Sequence, residues 1–172
     1  LWLALLKDWQ DSDLISASDL FHDLLANDED RLAMVRLAAW KLEQSGQPVS
    51  IKPQVALKWI TTAKQQMLNP TATFNFIETA SDAKMFASIY NTYQKFLSVQ
   101  KLWDFEDLVF NVVTRFETEP DLLETYRQKY RYMFVDEYQD LNHGQYRLIR
   151  ALATKHKDIC VIGDPDQAIY GF

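Results

Sequence analysis

Two short apolar runs in the last third of the chain are each followed by acidic residues. Asp136, Glu137 and Asp140 follow the run 132–135, and Asp164 and Asp166 follow the run 159–162. Carboxylates of this kind bind hydrated Mg²⁺, and a neighbouring carboxylate can polarise a water for attack on a phosphate. Acids after a strand also often cap the next helix, so these residue types alone leave both interpretations open.

Two amides accompany these acids. Gln139 follows the first apolar run, and Gln167 follows the second. An uncharged amide can hydrogen-bond a phosphate oxygen or orient an attacking water without adding charge. A similar polar loop after both runs strengthens the chemical interpretation.

The apolar runs predict two buried strands joined by a helix. Asn142 and Gln145 have the spacing of a capping box, so the helix is expected to begin directly after the first acidic group. A strand, a helix and a strand within so few residues predict a βαβ unit with parallel strands and a right-handed crossover. Ligands of open parallel sheets bind beyond the carboxyl ends of the strands, where both acidic groups would meet.

The residues before about 130 carry helical signals. The chain has only 4 glycines and 5 prolines, which favours long helices. The expected helix starts are Asp28, Pro53, Ser81, Asp104 and Glu119-Pro120, with Gly46 and Asn69-Pro70 as stops. On the fourth helix Phe105, Leu108, Val109, Val112, Val113 and Phe116 are predicted to face inward, and the tryptophans and Cys160 are expected in the core. The fold class predicted is mainly α with a C-terminal βαβ unit.

Composition excludes several classes of protein. The 172 residues contain one cysteine, so a disulfide framework or a cysteine-rich zinc module is excluded. The three histidines are isolated, and no apolar run reaches the roughly 18 residues of a membrane span. The net charge of −6 comes from the first 30 residues, so it neither supports nor excludes a nucleic-acid partner. An intracellular, cytoplasmic protein is the expectation.

Several segments resemble the UvrD/Rep-type superfamily 1 DNA helicases. YMFVDEYQDLN (132–142) and VIGDPDQAIYGF (161–172) resemble motifs II and III of that family, at the family's spacing. WDFEDLVF (103–110) resembles its Asp-Phe-Asp-Asp-Leu segment, with Glu106 in place of an Asp. The stretches 26–36 and 59–68 resemble, more loosely, helices of the accessory subdomain 1B.

The resemblance implies a division into two regions. Residues 1–130 would be a helical accessory region resembling subdomain 1B, and residues 131–172 part of a RecA-like motor core of the P-loop NTPase type. The sequence contains no G-x-x-x-x-G-K-[ST] loop, starts at Leu1 rather than Met, and stops directly after motif III. We therefore expect a piece of a longer protein that is inactive alone. Its unpaired strand edges predict either local disorder near 164–172 or pairing with another copy of the chain.

The resemblance also assigns roles to residues. Asp136 would hold Mg²⁺, Glu137 would be the general base for ATP hydrolysis, and Gln167 would sense the γ-phosphate. Gln139, Asp140 and Asp164 would support the nucleotide site, while Tyr170 and Phe172 would stack on single-stranded DNA bases.

The function expected is that of an ATP-dependent DNA helicase or translocase of 3′→5′ polarity. Its cofactors would be ATP and Mg²⁺, its partners single-stranded DNA and duplex junctions, and its role of the DNA-repair type. Two alternatives stay open: a non-catalytic DNA- or protein-binding module that keeps the motor fold, and a Mg²⁺-dependent phosphatase or nuclease. The mixed basic and aromatic segment 126–132 could track a phosphate backbone, although a helix end with tyrosines packed inward explains it more simply.

Overall fold

The computed structural model describes residues 25–153, 158–164 and 166. In these ranges six α-helices, two strands and one short 3-10 turn follow one another: α1 Asp28–Gln44, α2 Pro53–Gln65, α3 Ala80–Gln100, α4 Phe105–Thr118, α5 Pro120–Lys129, β1 Met133–Val135, the turn Tyr138–Asp140, α6 His143–Ala153 and β2 Ile159–Val161. The prediction of a mainly helical chain with a small parallel sheet is confirmed. Among the residues described, no helix is long and apolar enough to cross a membrane.

Two helices begin at a cap other than the one predicted. The N-cap of α1 is Asn27 rather than Asp28: its Oδ1 accepts from the backbone N–H of Asp30 at 2.9 Å. The N-cap of α3 is Thr79 rather than Ser81, and its Oγ1 accepts from the backbone N–H of Asp82 at 3.0 Å. At the start of both α1 and α3, several neighbouring residues are of types that can cap a helix, so residue type alone does not identify the N-cap.

Two helices end in a left-handed residue that is not glycine. The helix α2 starts at Pro53 as predicted but stops at Gln65, before the predicted Asn69. Met67 has φ 59°, and the N–H of Leu68 donates to the carbonyl of Ala63 at 2.8 Å. Lys101 ends α3 in the same way with φ 55°. A hydrogen bond across this reversal is the Schellman arrangement, which completes a helix end without a glycine.

The chain divides into two compact units. The first contains the described residues up to Lys64 together with Leu68–Leu108, and the second contains Gln65–Met67 and the described residues from Val109 onwards. The predicted boundary near residue 130 concerns subdomains of the family and stays a prediction.

The core of the first unit comes from α1, α2 and α3. Phe86 lies at its centre, fully buried, with edge-on aromatic contacts to Phe74 at 4.8 Å and Trp59 at 5.7 Å between ring centroids. The expectation that tryptophans pack in the core is wrong for Trp40, which is 56% exposed. The buried face of α1 carries Arg31, Met34, Val35 and Ala38, and Trp40 lies off that face. Phe105, predicted inward, is also exposed because it stands at the first position of α4.

Helices α4, α5 and α6 contribute the core of the second unit. The inward prediction is confirmed for Val109, Val112, Val113 and Phe116, and Leu148 and Leu152 of α6 are buried with them. Arg127 donates twice to the carbonyl of Ala151, at 2.9 and 2.6 Å, and so satisfies a carbonyl of the last turn of α6. Tyr126 is buried and stacks on Tyr130. These contacts favour the packing interpretation of the segment 126–132.

The two strands pair in parallel, as predicted. Met133, Phe134 and Val135 lie opposite Ile159, Cys160 and Val161. The prediction that both runs are buried is wrong: Phe134 is 79% exposed, and Cys160, predicted in the core, is exposed as well. Paired residues project to the same face of a sheet, so Phe134 and Cys160 share an exposed face while Val135 faces the core.

Candidate functional site

Backbone hydrogen bonds continue past the carboxyl ends of β1 and β2 into the loops that follow them. The N–H of Ile162 donates to the carbonyl of Val135 at 2.7 Å, and the N–H of Tyr138 donates to the carbonyl of Ile162 at 3.1 Å. The loop after each strand is therefore attached to the other by backbone hydrogen bonds. The predicted meeting of the two polar loops at one sheet edge is confirmed.

The acids after β1 do not cap the helix that follows. Asn142 is the N-cap of α6: its Oδ1 accepts from the N–H of Gln145 at 2.9 Å, and the Gln145 Oε1 accepts from the N–H of Asn142 at 3.0 Å. This reciprocal pair is a complete capping box. Helix capping therefore does not account for Asp136, Glu137 or Asp140. This favours the interpretation that they bind Mg²⁺ and activate a water.

Glu137 has a strained backbone. Its φ is 51° and its ψ 44°, the left-handed region that costs a residue with a side chain about 1–2 kcal/mol. The reversal comes directly after Asp136, whose Oδ1 accepts the N–H of Glu137 at 2.9 Å. Strain of this kind at a non-glycine residue is typical of functional sites.

The side chain of Gln139 bridges the two loops. Its Nε2 donates to Oε2 of Glu137 at 2.5 Å, and its Oε1 accepts from the backbone N–H of Asp164 at 3.0 Å. A backbone N–H needs an acceptor and a carboxylate needs a donor, so these two neighbours determine which way the amide is turned. One amide therefore connects the predicted general base to the loop after β2.

Gly163 makes this bridge sterically feasible. A Cβ at that position would lie 2.7 Å from Oε1 of Gln139 and 3.2 Å from the Cβ of Tyr138. Only a residue without a side chain leaves room for the amide. The sequence shows only a glycine in a loop. The steric need for it comes from Gln139, which lies 24 positions earlier in the chain.

The acids fit a hydrated Mg²⁺ ion. Asp136 is exposed, so an ion with its water shell can reach the carboxylate. One oxygen of Asp140, Oδ1, is buried without a hydrogen-bond partner among the described residues. Within the same residues no group of three or more His, Cys, Asp or Glu forms a metal cage. Mg²⁺ in nucleotide sites takes one or two carboxylates together with phosphates and waters, which is what this donor set offers.

The loop after β2 is folded by a local turn. Oδ1 of Asp164 accepts the N–H of Asp166 at 3.0 Å, which is an Asx-type contact. Gln167, Tyr170 and Phe172 lie outside the described residues, and their predicted roles stay predictions.

A second cluster of charges, which the sequence analysis did not identify, is buried in the first unit. Lys64 lies 2.6 Å from Asp104 and 2.7 Å from Asp107, and the side chains of all three are at most 5% exposed. Asp104 also accepts from the hydroxyl of Tyr93 at 2.8 Å, and Arg31 lies 3.0 Å from Glu106. The available signal was the position of Lys64 four residues after Ile60, on the buried face of α2.

The two aspartates of this cluster have opposite pKa shifts. Burial by itself would raise the pKa of Asp104, but the charge of Lys64 and its hydrogen bond outweigh burial and lower it. Burial raises the pKa of Asp107, and the attraction of Lys64 does not fully offset it. Asp104 and Asp107 also accept each other's backbone N–H, at 2.9 and 3.1 Å, which closes a capping box at the start of α4. Asp104 and Asp107 of the segment 103–110 thus have a structural role in this unit.

Comparisons with known proteins identify the family of the chain. Residues 4–172 match the family model described as the UvrD/REP helicase N-terminal domain. The chain is 40% identical over 121 residues to the ATP-dependent DNA helicase PcrA of Staphylococcus aureus strain Mu50, covering 70% of this chain and 16% of that protein. It is 39% identical over 123 residues to PcrA of Staphylococcus epidermidis strain ATCC 35984, again covering 70% of this chain and 16% of the relative. The chain belongs to the UvrD/REP helicase family.

Proposed function

We propose that the chain is part of an ATP-dependent DNA helicase or translocase, in which it supplies the base and the magnesium ligand for ATP hydrolysis. The single observation that carries the proposal is the joined pair of strand ends. There Asp136 and Glu137, neither used as a helix cap, lie next to an amide that contacts the second loop. The family and the names of the PcrA relatives support the same assignment.

The fold supports a motor core of the RecA type. The parallel pairing of β1 and β2, with α6 between them in sequence, fits a βαβ unit of such a sheet. We assign residues 131–172 to this core and residues 1–130 to the accessory subdomain 1B.

The chemistry follows from the side chains at the strand ends. Asp136, with support from Asp140, would hold Mg²⁺, whose positive charge would offset the negative charge of the ATP phosphates. Glu137 takes a proton from water as the water oxygen attacks the γ-phosphorus. The bond from that phosphorus to the oxygen it shares with the β-phosphorus breaks, and its electron pair stays on ADP. Inorganic phosphate is the other product.

The contact with DNA is assigned to the end of the chain. Gln167 would sense the γ-phosphate, and Tyr170 and Phe172 would stack on bases of single-stranded DNA, which is worth about 1–3 kcal/mol per base. A 3′→5′ polarity, work at duplex junctions and a role in DNA repair within the cell belong to the same proposal. The 172 residues contain no G-x-x-x-x-G-K-[ST] loop, so we expect no ATP hydrolysis from this stretch alone.

The test is ATP hydrolysis by the whole protein, with and without single-stranded DNA. Glu137→Gln removes the base but keeps the shape of the side chain, so turnover should fall about 10²-fold or more while ATP binding is kept. Glu78→Gln, at an exposed position in the first unit, is the matched control and should keep full turnover.

Each outcome decides between functions. DNA-stimulated hydrolysis that is lost only in Glu137→Gln supports the motor. Equal rates in that variant and the wild type would refute the assignment of the base. A whole protein without ATP hydrolysis would favour the binding module, and DNA-independent hydrolysis of simple phosphoesters would favour the phosphatase or nuclease.

A further inference from the structure

One carboxylate oxygen of Glu137 is held in place by a hydrogen bond from Gln139. The side chain of Glu137 is exposed, and its Oε2 accepts from Nε2 of Gln139 at 2.5 Å. A hydrogen bond to a charged acceptor is stronger and more directional than one between neutral groups. The orientation of the carboxylate therefore depends on where the amide of Gln139 lies.

The amide of Gln139 is itself held from the other end. Its Oε1 accepts the backbone N–H of Asp164, and the space it occupies exists only because residue 163 is a glycine. The side chain of Gln139 is partly buried. A shift of the backbone at 163–164 would therefore move the amide, and the amide would move the carboxylate.

We propose that Gln139 is a positioning residue for ATP hydrolysis, which aims the Glu137 carboxylate from the backbone of the loop after β2. The inference rests on the proposed function and adds a role that is separate from binding ATP or Mg²⁺. Gln139 acts through Glu137 and is not assigned a contact with the substrate.

The decisive variant is Gln139→Glu in the whole protein. It keeps an acceptor for the N–H of Asp164 but places a second carboxylate against Glu137. A carboxylate at residue 139 cannot donate to Oε2 of Glu137 and repels it, so the proposed base should leave its position. The kcat should therefore fall by about 10–100-fold. The KM for ATP should stay within about twofold, because the bridge does not bind the nucleotide.

Two further variants separate positioning from folding. Gln139→Leu removes both hydrogen bonds and should lower kcat by about 10–100-fold, a part of the general-base contribution. Gly163→Ala keeps the residue Gln139 but adds a Cβ at 2.7 Å from its Oε1. The amide would have to move, so kcat should fall as well. If Gly163→Ala acts through the amide, the double variant should be no slower than Gln139→Leu alone.

The controls make the outcomes distinct. Gln54→Glu is the same chemical change at an exposed position in the first turn of α2 and should leave kcat unchanged. ATP binding, measured by a fluorescent nucleotide analogue, should be kept in all the Gln139 variants. A wild-type protein with no ATP hydrolysis would refute the proposed function and this role with it.

Active wild-type protein gives the sharper test. If the wild type hydrolyses ATP and Glu137→Gln does not, but Gln139→Glu keeps the kcat of the wild type, then the positioning role is wrong and the proposed function stands. Additive losses in the Gly163→Ala and Gln139→Leu double variant would likewise contradict it, because the glycine would then act by another route.

Discussion

Three non-glycine residues in the described ranges have a positive φ, and Glu137 differs from the other two. Met67 and Lys101 end helices, where a left-handed residue is used routinely. Glu137 instead follows a strand, and a glycine would serve the turn at lower cost. Strain at a position occupied by a carboxylate is the pattern expected if Glu137 has the chemical role proposed for it.

The strained backbone at Glu137 predicts which of two variants is the more stable. Glu137→Gly and Glu137→Ala both remove the carboxylate and its hydrogen bond to Gln139. The glycine variant should be more stable than the alanine variant by about 1–2 kcal/mol, because only alanine keeps the side-chain clash of the left-handed region. Denaturant unfolding of both variants measures the difference, and equal midpoints would show that the backbone at Glu137 is not strained.

The start of α4 shows how an element is positioned by charges that the sequence does not display together. Asp104 and Asp107 form the capping box of α4, and Lys64 from α2 neutralises both. Buried ions are costly unless they are paired and hydrogen-bonded, so removal of one member leaves the others without compensation. The contact therefore places the first turn of α4 against α2 at one defined position.

We predict a large effect from Lys64→Met at this scale. Two carboxylates would remain buried without their cation, which should lower the free energy of unfolding of the first unit by about 3–5 kcal/mol. Lys58→Met, on the same helix at an exposed position, should change it by about 0.5 kcal/mol or less. Thermal or denaturant unfolding compares the two. A similarly small loss of unfolding free energy in both variants would mean that the buried cluster stabilises the unit no more than a surface ion pair does.

At the scale of the whole chain, the sheet exposes apolar side chains. Phe134 and Tyr132 are more than 70% exposed and Ile162 is 54% exposed, on or beside two short strands. Among the described residues each strand pairs on one side only. An apolar face with such edges favours pairing with another copy of the chain. The 172 residues expressed alone should therefore form dimers or larger species.

A single substitution should weaken this association. Phe134→Glu places a charge on the exposed face of β1 and should shift the isolated chain toward monomer in light scattering. Val99→Glu changes an equally exposed apolar residue on α3 and should not. A monomeric wild-type chain at micromolar concentration would contradict the prediction.

The amino-acid sequence by itself determined the order of helices, the parallel strands and the acids at their ends. Those features follow from local signals: periodicity, capping spacing, and apolar runs that end in polar loops. Tertiary structure decided the rest. Phe134 and Cys160 are exposed because a two-stranded sheet has one covered face, and Lys64 is buried because its partners lie 40 residues or more further along the chain. The bridge from Glu137 through Gln139 to Asp164 depends on two loops that meet only after the strands pair, so no local pattern reveals it.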